Sequence, residues 1–301
     1  MDELVVRYRA ASADLAELKT SVGDTPQGAY LSTILVRARL RLTGASDNVL
    51  TQVRRFCTAQ LPAALYRLRW TTLTIALAFI AVAVGVAVWV SGDPDLVATL
   101  GPPDVLQQYA DESFTGYYTE NPAAVFAGMV WTNNAWIAAQ CVLFGVTGIW
   151  PIYALVQNAM GLGISGAVMA AHDRADVMVL YILPHGMLEM TCIFVAAAAG
   201  LHVFWSWVAP GHRTRAESLA AEGRALATVA IGLVFFLALA GAVEGFVTGW
   251  TLPWPLKIGI GAAALAVFLL YMLVLGGRAH RRGETGDLTE HEAGTPRLLA
   301  G

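Results

Sequence analysis

Charge is what this chain has least of. Asp, Glu, Lys and Arg make up 14% of its 301 residues, where soluble domains run near ~25%. From Asn121 through Ala171 no Asp, Glu, Lys, Arg or His occurs, which excludes an ordinary soluble domain. Cysteine is scarce as well. Cys57, Cys141 and Cys192 show no CxxC spacing, so neither a disulfide scaffold nor a zinc site is expected. There is no Walker A sequence, so ATP-driven action would need another subunit. HExxH is absent too, since His185 and Glu189 stand as HxxxE. No long apolar run precedes Thr71, which is too deep for a cleaved signal peptide. No metal, cofactor or nucleic-acid partner is expected.

Apolar length is abundant. The chain is 56% hydrophobic with mean hydropathy +0.57, so the fold class is an all-α polytopic membrane protein whose solvent is the lipid bilayer. About six transmembrane helices are expected. Residues 71–90 make one. The uncharged stretch makes two, joined around Trp150-Pro151, or alternatively one span plus a broken or re-entrant piece. The remaining spans cover about 177–209, 225–249 and 256–277. The domains are therefore a basic helical head (1–70), a transmembrane helical domain (71–277) and a polar, disordered tail (278–301).

Basic residues give the orientation. Residues 1–70 carry ten Lys and Arg, whereas 91–123 carry none against six carboxylates. Arg213, Arg215 and Arg224 mark one later loop, and Arg278, Arg281 and Arg282 mark the tail. With six spans every Arg-rich segment falls inside, which predicts a plasma (inner) membrane protein with both termini cytoplasmic. Lys257, near the outer end of the sixth span, is the one dissent. The acidic loop is expected to form a short interfacial helix, with Tyr109, Phe114, Tyr117 and Tyr118 as headgroup anchors.

Polar groups at bilayer depth are the functional clue. Glu189 lies in LYILPHGMLEMTCIFVAAAAGLHVFW; a central carboxylate costs roughly 2.5–3.5 kcal/mol on insertion scales, so it faces a bundle interior or a wet path. His185 is four residues earlier and shares its face. Asn133 and Asn134 sit in the second span, about 100° apart on a helix, and complete the candidate polar site Asn133, Asn134, His185 and Glu189. Asn158 and Glu244 form a secondary polar site. Gly161, Gly163, Gly166, Gly241, Gly245 and Gly249 make small-residue faces. These suit internal packing or a homo-oligomer, and the sequence leaves both open. Gly163-Ile-Ser165-Gly resembles the nucleophile signature of rhomboid proteases, with His185 or His202 as the nominal base; the motif is short and its surrounding context is absent, so no enzyme is expected.

The segment FAGMVWTNNAWIAAQCVLFGVTGIWPIYALVQNAMGLG, followed by LPHGMLEMTCIFVAAAAG, resembles the stage II sporulation protein M family, also described as DUF95. Asn133-Asn134, Asn158, Gly161 and Pro184-His185-Gly186 with Glu189 carry the resemblance across about residues 70–275. Met190-Thr191 depart mildly from the usual small or apolar residues. The resemblance implies a membrane scaffold or assembly subunit working with other membrane-complex partners. The alternative is a transporter or channel component that uses His185 and Glu189.

Overall fold

Long apolar stretches without internal breakers become helices, because in lipid only a helix satisfies its own backbone. The computed structural model describes residues 2–23, 25–42, 49–119, 123–248 and 252–287. It is all-α, with no strand among the described residues. The chain divides into two units, Met1–Phe56 and Cys57–Gly301.

In the first unit, α1 (Asp2–Val22) and α2 (Pro26–Leu42) pack on each other, followed by α3 (Val49–Arg55). Gly23 turns the chain at φ +78°, and the Thr25 hydroxyl then accepts the Gly28 amide at 3.1 Å. Gly28 lies against Leu15 and Leu18.

The second unit opens with α4 (Leu61–Ser91). Trp70, nine residues into the helix, and Trp89 near its C-terminal end are 66% and 67% exposed. Nineteen helical residues separate them by about 28 Å, the thickness of a hydrocarbon layer, so they sit as interface belts. Next come α5 (Pro94–Thr99) and α6 (Pro103–Gln108). Each begins at a proline, whose missing N–H costs nothing there, and Asp93 caps α5 by accepting the amides of Asp95 and Leu96. A π turn (Tyr109–Ser113) leads into α7 (Phe114–Thr119).

The uncharged stretch forms two full helices, α8 (Ala123–Leu143) and α9 (Ile149–Ala171). The reversal lies at Gly145–Gly148, with Gly148 at φ +70°, and Pro151 stands in the first turn of α9. Then follow α10 (Ala175–Val208), α11 (Arg215–Val243), α12 (Trp254–Leu270) and α13 (Gly276–Arg281); π turns extend α11 and link α12 to α13.

Five helices are long and apolar enough to cross a membrane: those containing α4, α9, α10, α11 and α12. The expected count was about six. The difference is α8, 21 residues long, in which Asn133, Asn134 and Gln140 depress the hydropathy. Its path nevertheless covers the depth of its neighbours. Near one end Ala127 meets Gly241 of α11, and near the other Cys141 meets Gly200 of α10.

Helix α10 is the centre of the bundle and packs on α4, α8, α9, α11 and α12. Every residue from Cys192 to Gly200 is buried, as expected of a helix apolar all round. The small run Ala196–Gly200 permits very close approach: a Cβ on Gly200 would lie 2.2 Å from the Cys141 carbonyl oxygen.

The acidic loop differs from its expected form. Phe114 is buried in a cluster with Ala110 and Met169, against which Tyr109, Met178, Tyr181 and Ile182 pack. Tyr117 stacks edge-on with Phe126. Tyr109 and Phe114 pack on the α9–α10 end of the bundle, because burial against apolar helix ends removes ring surface from water, while Tyr117 stays 49% exposed. The Tyr118 side chain lies outside the described residues. Arg174 fastens the loop by donating to Asp111 Oδ1 through Nη2 at 2.8 Å and Nε at 3.2 Å.

That hydrogen bond is the main reason the Asp111 carboxyl is held below the ordinary aspartate value of 3.8. A lowered folded value stabilises the docked loop at neutral pH, and the contribution disappears as pH falls below that range. Arg174→Gln should therefore lower amide-exchange protection across 103–119 at pH 7. It should also remove the acid-induced loss expected of the parent. Unchanged protection in the variant would mean that the aromatic cluster alone holds the loop.

Residues 278–287 belong to the expected polar tail, yet they are docked. Gly276 packs on the Pro62 carbonyl. Gly286 turns at φ +78° against Ala64, where a Cβ would come within 2.4 Å. The Asp287 carboxylate receives two hydrogen bonds from Arg224, at 2.6 and 2.9 Å.

Candidate functional site

Glu189 is 5% exposed and His185 6%, both on the part of α10 that faces other helices. The Asn134 amide donates from Nδ2 to Glu189 Oε1 at 2.5 Å, joining α8 to α10. Asn133 points elsewhere, as adjacent helical residues must. Its Nδ2 donates to Asn134 Oδ1 at 3.4 Å, and its side chain reaches the wall of a groove. The structure thus links three of the four predicted polar residues in a chain, Asn133 to Asn134 to Glu189. His185 is buried one helical turn before the carboxylate.

The groove has a volume of about 780 Å³. Its polar wall is Asn133, Gln157, Asn158 and Ser165; Tyr109 and Phe114 of the docked loop close one side. Asn158 spends one amide proton on the Ala154 carbonyl of its own helix at 2.8 Å. Gln157 donates to the Tyr153 hydroxyl at 3.0 Å. Ser165 Oγ accepts from the Tyr109 hydroxyl at 3.2 Å, and no histidine among the described residues bonds it. The serine–histidine pair needed for a nucleophile is not assembled.

The packing glycines separate into distinct groups. Gly163 meets the Ala83 carbonyl of α4, and Gly241 meets the Ala127 carbonyl of α8. Gly166 makes ordinary contacts with Ala87 and Met178. Gly161 has open space where a Cβ would be and lines the groove instead. Gly245 is buried within the π turn Glu244–Thr248. The Glu244 side chain and all of Gly249 lie outside the described residues. The sequence reading missed several of the tightest approaches, among them Gly261 against the Pro184 carbonyl and Gly200 against the Cys141 carbonyl. Lone glycines carry no periodic stripe, so only the Ala-rich run before Gly200 hinted at them.

A second polar cluster, also missed, sits at the opposite end of the bundle. Arg67 pairs with Glu222 and donates to the Thr285 carbonyl at 2.9 Å. Thr71 Oγ1 and His202 Nε2 are 2.9 Å apart. Thr71, His202 and Glu222 border a cavity of about 520 Å³ that is also lined by Ser206, Ser218 and Trp205. Neither this cavity nor the larger groove is walled by Glu189, His185 or Asn134. Lys257 is buried in the first turn of α12, with Nζ 4.3 Å from the centre of the Trp254 ring. No group of His, Cys, Asp and Glu among the described residues is arranged to hold a metal.

Residues 75–249 match the family described as stage II sporulation protein M; no match carries the DUF95 description. Residues 1–44 match a domain of unknown function, DUF8413, which gives the basic head a family signature of its own. No curated protein and no solved structure matches the chain.

Proposed function

The chain belongs to the stage II sporulation protein M family, and from that premise we propose that it is a non-catalytic membrane scaffold, an assembly subunit that presents a fixed helical surface to other membrane proteins. The observation that carries this reading is the enclosure of Glu189. Its carboxylate is taken up by Asn134 at 2.5 Å on a helix buried on nearly all sides, which is the geometry of an interhelical clamp. A transport acid needs access to a path, and neither large cavity is walled by this one.

Six crossings, counting α8, bring the Arg-rich segments to one side, with both termini cytoplasmic. The docked loop and the 780 Å³ groove then face outward. That groove is the surface offered to a partner or to a second copy of the chain.

A second reading rests on Asn133. It lines the groove and hydrogen-bonds the residue that holds Glu189, so a proton or small solute in the groove has a two-residue link to the carboxylate. That arrangement would serve a transporter or channel component.

One variant separates the readings. Glu189→Gln keeps an oxygen acceptor for Asn134, so a clamp should survive with a loss below about 1 kcal/mol. Pulldown in mild detergent should recover the same partners for parent and variant, and proteoliposomes should show no flux. Flux in the parent that vanishes in folded Glu189→Gln would replace the scaffold reading with the transport one. Recovery of no partner and no self-association would also sink the scaffold reading.

A further inference from the structure

A third cavity, of about 470 Å³, opens between α4, α10 and α12. Its floor is apolar, formed by Leu265, Leu269 and Leu273 of the last membrane helix and its π turn, with Phe194 of α10 opposite. From Leu273 to Leu265 it runs about 12 Å along the helix axis. Arg69 and Trp70 stand at its mouth, the level at which exposed Trp70 marks the interface. The cavity therefore leads from the headgroup layer into the hydrocarbon.

The mouth is cationic and uncompensated. Arg69 Nη1 donates to the Tyr66 carbonyl at 2.7 Å, and its guanidinium lies 3.8 Å above the centre of the Tyr66 ring. Its remaining donors are not taken by any carboxylate of the described residues. From α13 the His280 ring packs on Tyr66 at 5.4 Å, and Arg281 Nη1 lies beside Gly277. Just below, the wall carries Thr72, which is 6% exposed and whose Oγ1 makes no hydrogen bond. A buried hydroxyl without a partner is costly. Thr191 lines the same cavity from α10.

Charge at the mouth and an apolar slot below it follow the order of phosphate and acyl chain in a phospholipid. We propose that this groove is a binding site for an anionic phospholipid of the leaflet at the Arg69 end. The phosphate pairs with Arg69, and one acyl chain lies against Leu265, Leu269 and Leu273. Charge-assisted bonds to a planar guanidinium favour phosphate. The excess of positive charge selects an anionic over a zwitterionic headgroup. This inference rests on the chain spanning the membrane and is independent of whether it scaffolds or transports.

Full-length protein in dodecyl maltoside, titrated with phosphatidylglycerol or phosphatidylcholine of identical acyl chains, tests it by native mass spectrometry and thermal shift. The parent should retain phosphatidylglycerol preferentially and gain melting temperature from it. Arg69→Gln should weaken that binding about fivefold, the loss expected of one basic residue at an anionic surface. Arg69→Lys should recover part of it. Leu269→Trp, which fills the slot, should abolish retention of either lipid while melting normally without lipid. Equal retention of both lipids by the parent would overturn the proposal. So would an identical loss in Arg69→Gln and in the surface control Arg213→Gln, since attraction would then be general.

Discussion

Gly261→Val is expected to destabilise the bundle by about 3 kcal/mol, the upper end of overpacking costs, read as a large fall in melting temperature in detergent. A Cβ at this position would sit 2.0 Å from the Pro184 carbonyl oxygen, 2.6 Å from its carbon and 2.9 Å from its Cα. All three are backbone atoms, so no side chain can swing aside. Relief requires moving α12 away from α10, and α10 has no room to follow because its other faces carry α4, α8, α9 and α11. Alanine at the same position should already show most of the effect. Gly259→Ala two residues earlier is the control: nothing lies within 4 Å of its Cβ position, so it should be neutral or slightly stabilising through helix propensity. Equal stability of Gly261→Ala and the parent would show that α10 and α12 do not approach this closely.

The second large effect concerns the Asn134–Glu189 pair. Asn134→Leu strands a carboxylate inside the bundle, and Glu189→Leu strands an amide. A lost partner in a buried site costs about 1–3 kcal/mol, so each single change should destabilise the bundle by that order. The double variant Asn134→Leu/Glu189→Leu removes both groups and should be less damaging than the sum. Interhelical hydrogen bonds in membranes average about 0.6 kcal/mol and reach about 1.7 kcal/mol. A short bond to a carboxylate belongs near the top, so the coupling should be about 1.5 kcal/mol. Additive single effects would mean the two side chains act independently.

The fold class was legible in the sequence because apolar length reports directly on the solvent. The candidate site was legible in part for a related reason. An acid among apolar residues must have a partner, and Asn133-Asn134 were the amides at matching depth. The sequence could not decide between the two asparagines, since their 100° separation only says that one of them faces α10. The structure assigns Asn134 to Glu189 and Asn133 to the groove. The span count was harder, because the same amides that make α8 interesting lower its hydropathy. The second polar cluster escaped for another reason: Arg67 with Glu222 and Arg224 with Asp287 are pairs far apart in sequence, and each member reads locally as a basic collar or an acidic tail. The loop aromatics were assigned to headgroups because nothing near Tyr109 or Phe114 announces Met169 and Tyr181 as packing partners.

The basal contacts of α4 also set a clock. Pro62 and Tyr66 are covered by Gly276, Ala64 by Gly286, and Arg67 donates to the Thr285 carbonyl. Helix α4 is therefore completed by the last segment of the described chain, more than two hundred residues later. At translation rates of roughly 5–20 residues per second, its base stays open for on the order of 10–40 s. During that interval Arg67 lacks its Thr285 contact and Pro62, Ala64 and Tyr66 lie uncovered. The nascent bundle thus passes through a stage in which the base of α4 lacks the backbone contacts that the finished protein supplies.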